Sequence, residues 1–232
     1  MRSISPFILF VFLSAPFQSA VAGRPLGTDD AGTVGHLKYQ VEAWQEHGEG
    51  AHGSILAPAF GLGDFEFGFE AARSREAEGS RARETTLALK WAPENLSLGP
   101  VRIGAKTWTG RSYEKSEDES SKTREHGAIA IASWSIIENL SAHFNLGALK
   151  DNVERKTRRL ANVALSWTPH ENLLFFVEAM HQQSQPTTQS LGMRFWAIPE
   201  KLGIDITASR QTGNQYSNMI GMGFGWYDSL SD

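Results

Sequence analysis

From about residue 35 onward the chain returns again and again to a period of two, and no other feature limits its fold as strongly. Leu37, Tyr39, Val41 and Ala43 alternate with Lys38, Gln40 and Glu42; Phe65, Phe67, Phe69 and Ala71 alternate with Glu66, Gly68 and Glu70; Leu87, Leu89 and Trp91 alternate with Thr86, Ala88 and Lys90. The same rhythm runs through 101–106, 140–146, 161–167, 191–195, 202–208 and 220–226. Successive side chains of a strand point to opposite faces, so each run makes a strand with one apolar and one polar face. Three further segments read as strands with less regular faces. Segment 54–60 contains Pro58, which cannot donate to a ladder and predicts a bulge or a strand end. Segment 126–134 alternates Ala with Ile and leaves its outward face open. Segment 173–180 starts apolar on both faces; with Glu178 pointing inward, Phe175 and Val177 point outward.

Two kinds of connection separate these twelve strands. Short ones occupy 61–64, 93–99, 137–139, 169–172 and 199–201, and longer polar ones occupy 46–53, 74–83, 111–124, 150–156, 181–186 and 211–214. The two kinds alternate strictly. That is the plan of a transmembrane antiparallel up-and-down β-barrel, with short turns on the periplasmic side, long loops outside and, for an even strand number, both termini periplasmic. Mean hydropathy is only −0.32, but in a barrel wall only alternate residues meet lipid, so a low average is expected. The fold class implied is all-β, a barrel of about 12 strands.

A repeat marks the short turns. Trp91, Trp134, Trp167 and Trp196 each end a strand, are followed by a turn carrying Glu94, Glu138, Glu171 or Glu200, and lead into Leu96, Leu140, Leu173 or Leu202. The Trp-to-Trp separations of 43, 33 and 29 residues are too uneven for stacked solenoid units. They fit hairpins whose outer loops vary, with the indoles forming an aromatic girdle at the periplasmic interface. Trp196 falls in phase with inward Arg194, so it needs a bulge or faces the lumen. Trp44 and Trp108 fall on polar phases and are expected at the outer mouth.

Residues 1–22 read as a signal peptide: Arg2, an apolar core over 7–13, and a small-x-small site at Ala20-Val21-Ala22, which puts the mature start near Gly23. The apolar run is too short to span a membrane of about 30 Å as a helix. The organisation expected is therefore a signal peptide (1–22), a periplasmic N-terminal segment (23–34), a barrel (35–227) and a C-terminal tail (228–232). The cell outer membrane is the expected location. The chain has no cysteine, which removes disulfides, thiolate nucleophiles and Cys-based metal sites. A net charge of −4 offers no broad basic surface for nucleic acid.

If the apolar faces meet lipid, the lumen receives Lys38, Gln40, Glu42, Glu66, Glu70, Lys90, Arg102, Lys106, His143, Asn145, Asn162, Ser166, Glu178, Arg194 and Asp205. This set suits either an interior salt-bridge network or a pore lining, and a twelve-strand lumen lies between filled barrels and wide porins. A hydrolase would need nucleophile, base and orienting group within hydrogen-bond reach. His143 and Asn145 share a lumen face, but Ser166, beside Trp167 at the periplasmic end, is expected to lie out of reach, so no catalytic residue is assigned. His47 and His52 flank a glycine-rich loop without a third ligand, and the pair Asp29-Asp30 is weak as a Ca²⁺ site. No metal or cofactor is expected. Residues 24–33 are expected to form a turn and cap before the first strand; the alternative is that they fold into the lumen and narrow it.

Arg24-Pro25-Leu26-Gly27-Thr28-Asp29-Asp30-Ala31-Gly32-Thr33, followed by Gly35-His36 and the strand ending at Trp44, resembles the opening of outer-membrane transporters of the phenol-degradation meta-pathway type. The resemblance is specific over about residues 24–44. It implies a barrel and uptake of small, apolar molecules, and carries no catalytic residue. The strand ending at Trp226-Tyr227 resembles the C-terminal signal read by the barrel-assembly machinery, here followed by 228–232. Outer-membrane lipid, that machinery and a small solute are the partners implied. The function expected is a narrow passive channel or binding barrel, with a closed structural barrel as the alternative and a membrane-embedded lipid or ester hydrolase as a third.

Overall fold

The computed structural model describes residues 25–48, 50–76, 79–116, 120–153, 155–212 and 217–230. The segment expected to be a signal peptide, with its expected cleavage site, lies outside them. Twelve long strands make the wall: β1 (Lys38–Gly48), β2 (Ala51–Leu62), β3 (Phe65–Glu76), β4 (Arg81–Trp91), β6 (Val101–Lys115), β7 (Ser120–Ile137), β8 (Leu140–Asp151), β9 (Thr157–His170), β10 (Leu173–Gln182), β11 (Thr187–Ile198), β12 (Leu202–Thr212) and β13 (Ser217–Ser229). A two-residue strand, β5 (Ser97–Leu98), sits in the turn after β4 and pairs with the start of β6. No helix occurs among the described residues.

Every long strand pairs antiparallel with its chain neighbour, and β1 pairs with β13 from Lys38↔Ser229 to Gly48↔Met219. The sheet is therefore closed, which satisfies strand backbones without leaving an edge. Both ends of the wall lie at the short-turn mouth, where the Leu230 amide donates to the Leu37 carbonyl. Asp228 and Ser229, expected in a tail, belong to β13.

The distribution of side chains is inside-out. Leu87, Leu146, Leu191 and Ile220 are 58–65% exposed on the outer face, whereas Glu42, Asn145, Glu70 and Asp205 are only 1–2% exposed inside. Alternation puts each apolar set on the same outward phase, and only an apolar surround stabilises such a surface.

Several expectations change. The long loops are largely absent: strands continue through most of 46–53, 74–83 and 111–124, so β6 and β7 rise as a polar hairpin paired as far as Lys115↔Ser120. Polar residues on both faces obscured these extensions, because alternation is visible only where one face is apolar. Pro58 marks neither bulge nor end. It sits within β2, opposite Val41 of β1, and the ladder to β3 keeps its register across the skipped positions between Leu56↔Ala71 and Ala59↔Gly68. In β7 the isoleucines point inward, with Ile129 and Ile131 buried, and the alanines point outward. Phe175 and Val177 face outward, as expected from an inward Glu178.

Trp91, Trp134 and Trp167 project outward at the short-turn end and are 39–47% exposed. Trp196 does not join them. Its bulge falls one step later, between Trp196 and Ile198, so Trp196 keeps the inward phase of Arg194 and packs on the Tyr227 ring at 5.3 Å. Trp226, on the outward phase of β13 and opposite Leu202, takes the corresponding place around the ring.

Candidate functional site

Glu42, Glu66, Glu70, Lys90, Lys106, His143, Asn145, Glu178, Arg194 and Asp205 all hold the inward phase of their strands and are buried. Lys38 and Arg102 share that phase but are exposed at the short-turn mouth. Most of these buried residues fall into two clusters, one on β11, β12, β13 and β1 and the other spread over β3 to β10.

The first cluster joins wall to wall. Arg194 on β11 lies directly opposite Asp205 on β12, and its Nε and Nη2 each donate to that carboxylate at 2.7 Å. The same Nη2 reaches Glu42 of β1 at 3.2 Å. Tyr227 of β13 accepts from Arg194 and donates to Glu42. The guanidinium also lies 5.1 Å from the Trp196 ring centroid and 5.3 Å from that of Tyr227. A planar fork that satisfies one carboxylate at two points suits arginine. The cluster ties four adjacent strands together across the seam between β1 and β13. Tyr227 was not among the residues singled out from the sequence, although Gly223 and Gly225 mark its inward phase.

The second cluster joins wall to chain terminus. Residues 25–35, expected ahead of the barrel, lie inside it. The amides of Gly27 and Thr28 donate to the Glu178 carboxylate at 2.8–3.0 Å, and the Thr28 hydroxyl donates to it at 2.9 Å. Asp29 exchanges two bonds with Asn145: its amide donates to Oδ1 and its carbonyl accepts from Nδ2, each at 2.8 Å. The amide of Val34 donates to Glu66 at 2.8 Å. Leu26 packs on Ala164, Phe176 and Leu174, and Ala31 packs on Ile129, Ile131, Trp108 and Leu160. This is why the β7 isoleucines face inward: the lumen holds an apolar partner for them. Two glycines admit the close approaches. A Cβ on Gly61 would lie 1.9 Å from the Gly35 carbonyl oxygen, and one on Gly127 would lie 2.1 Å from the Trp108 ring.

At the centre of this cluster Lys90 and Lys106 are directly opposite across β4 and β6. Two ammonium groups so placed repel each other. Asp29 lies between them, its carboxylate 2.8 Å from Lys106 and 3.5 Å from Lys90, while Asp30 takes Lys90 at 3.1 Å. The Lys90 charge holds the Asp30 carboxyl well below the ordinary range, at about 2. The aspartate pair read as a weak Ca²⁺ site thus has lysines as its partners.

Contrary to expectation, Ser166 does reach His143. The stagger between β8 and β9 places its Oγ 3.0 Å from Nε2, while Nδ1 is 2.8 Å from the Ser133 Oγ, which accepts from the Ala31 amide at 2.7 Å. With the imidazole proton on Nε2, Ser133 donates to Nδ1 and Nε2 donates to Ser166; with it on Nδ1, both bonds reverse. A general base acting on Ser166 uses the second arrangement. Ser133, where a hydrolase would place a carboxylate, offers no charge to an imidazolium. The chain of bonds instead latches the terminal segment to β7, β8 and β9. His47 and His52 pack edge to face at 4.9 Å on the outer hairpin, and no group of three metal-ligating side chains occurs among the described residues.

No family model matches the sequence, and no curated relative does. Among solved structures the chain is similar to the NanC porin, with a TM-score of 0.59 and 9% identity over 81% of this chain and 98% of that one. It is similar to the KdgM porin in complex with disordered oligogalacturonate, with a TM-score of 0.55 and 10% identity over 81% and 98%. It also resembles outer-membrane phospholipase A from Escherichia coli, with a TM-score of 0.52 and 9% identity over 82% and 90%. The architecture is that of outer-membrane barrels.

Proposed function

We propose that this chain is a non-enzymatic outer-membrane barrel that passes small solutes passively, and that residues 25–35 are its resident plug. One observation carries the reading. Lys90 and Lys106 oppose each other across the wall, and the carboxylates that bond them, Asp29 and Asp30, come from segment 25–35, while the wall itself supplies Glu66 directly opposite Lys90. A barrel serving only as a scaffold has its wall charges paired within the wall, as Arg194, Asp205 and Glu42 are. The inside-out surface and the likeness to porins support the location and the class.

The ten residues that carry the resemblance to phenol-degradation-type transporters, 24–33, overlap this plug almost entirely. On this reading the resemblance reflects a shared way of filling the lumen. The solute differs from the apolar one implied there. Once Asp29 leaves, the lysine pair presents two donors to a carboxylate, and the KdgM porin, a neighbour in fold, was solved with an acidic oligosaccharide.

The test compares the mature chain with a variant lacking 25–34 in planar bilayers. The mature chain is expected to conduct rarely, and the deletion to give discrete, anion-preferring steps. A deletion variant that folds, as judged by heat-modifiable migration, yet stays silent overturns the channel. The wall-to-wall cluster across the seam would then favour the closed structural barrel.

A further inference from the structure

The outward face changes character along the strands, most strongly on one side of the barrel. On β3 it runs from Phe65, Phe67 and Phe69 to Arg73 and Arg75; on β4 it runs from Trp91, Leu89 and Leu87 to Arg83 and Arg81. Their basic ends face one another: Arg73 is opposite Arg83, Arg75 opposite Arg81, and on the next pair Arg111 opposite Arg124. Lys150 of β8 and Arg159 of β9 continue the series on the same phase. On the far side, the matching outward positions of β11, β12, β13, β1 and β2 are Gln189, Arg210, Asn218, Gln45 and Ser54, a single cation among neutral residues.

Like charges directly opposite each other destabilise a sheet, and here three such pairs adjoin. Glu84, Glu114, Glu125 and Asp151, at this height in the described strands, hold the other phase. A groove of about 510 Å³ lies among the cations, and its lining includes Arg83, Arg111, Tyr113, Lys122 and Arg124, with Glu84 as its one carboxylate among the described residues. It opens just beyond the apolar band, at the height of headgroups.

We infer that this face binds phosphate-bearing lipid headgroups in the leaflet at the long-hairpin end. The inference rests on the membrane-barrel reading above. Guanidinium forks match phosphate geometry, and the continuous apolar surface beneath them receives the acyl chains. An anion without acyl chains would use only half of this surface, which is why lipid is the occupant.

The test reconstitutes the full mature protein into phosphatidylcholine vesicles containing either diphosphorylated lipid A or its dephosphorylated form. Co-purifying lipid is then quantified by native mass spectrometry. Heat-modifiable migration in plain phosphatidylcholine is checked first. Failure to insert there breaks the membrane reading, and insertion without lipid preference breaks only this inference. The phosphorylated form is expected to be retained roughly tenfold over the other, about the value of one charge-assisted hydrogen bond. R83Q/R111Q/R124Q is expected to lose that preference, and R83K/R111K/R124K to keep most of it. Three results would overturn the inference: no preference in the wild type; an unchanged preference in the Gln variant; or displacement of the lipid by millimolar inorganic phosphate, which would mark a soluble-anion site.

Discussion

The two charge clusters in the lumen are built from the same residue types but differ in what they hold. Around Arg194, every partner belongs to the wall, and four strands meet across the closing seam. Around Lys90 and Lys106, the carboxylates that bond the ammonium groups come from segment 25–35, with Glu66 of the wall opposite Lys90. Breaking the first removes support from the barrel. Breaking the second releases a segment and leaves the barrel standing. Buried ion pairs are thus not one kind of object: their consequence depends on whether both partners are covalently part of the same closed sheet.

Arg194→Ala should have the largest effect. It leaves Asp205 and Glu42 buried without their cation, which costs about 3–5 kcal/mol. Urea unfolding in vesicles should show this loss, with single-channel conductance of the surviving folded protein unchanged. Asp29→Asn should do the opposite. The unfolding midpoint stays near that of the wild type while the open fraction rises roughly thirtyfold, about 2 kcal/mol of lost docking. If Asp29→Asn lowered barrel stability as much as Arg194→Ala, the distinction between the clusters would collapse.

Ser133→Ala removes the acceptor of the Ala31 amide and one end of the His143 chain. A loss of about 1 kcal/mol of docking is expected, seen as a severalfold rise in opening. No loss of esterase activity should accompany it, because the reading assigns none. The smallest effect concerns Asp30, which is 60% exposed, so solvent screens its pairing with Lys90. Its carboxyl is depressed from 3.8 to about 2 in the docked segment. Its contribution to docking is therefore complete above the ordinary value and disappears as pH falls towards 2. Opening measured across that interval should rise more steeply in the wild type than in Asp30→Asn. Equal slopes would remove Asp30 from the docking surface.

Much of the wall was legible because burial on one face writes a period of two into each strand. Three of the four repeated tryptophans stand where the repeat placed them. The fourth failed because a bulge one residue later preserved the inward phase of Trp196. Strand ends were less legible: Lys115 and Ser120 are paired, but with both faces polar no alternation distinguishes strand from loop. The phase of β7 was illegible for another reason. Ile129 and Ile131 face inward because Ala31 is there to meet them, and nothing near 126–134 announces that. The Ser166–His143 contact depended on the stagger between β8 and β9, which strand ends alone do not specify.

By itself, then, the amino-acid order determined an antiparallel wall of twelve strands, which face is apolar in the strands other than β7, and which charges lie on the other face. Each follows from local periodicity, since lipid and lumen act on alternate residues. The tertiary structure decided which charges pair. Asp29 meets Lys106 across 77 positions and Gly27 meets Glu178 across 151. Only closure of the sheet, and the return of the terminal segment into the space it encloses, brings such partners within a few ångströms. The segment 25–35 was readable as a motif before the fold was known; its place in the lumen was not, because its partners are spread over strands from β3 to β10.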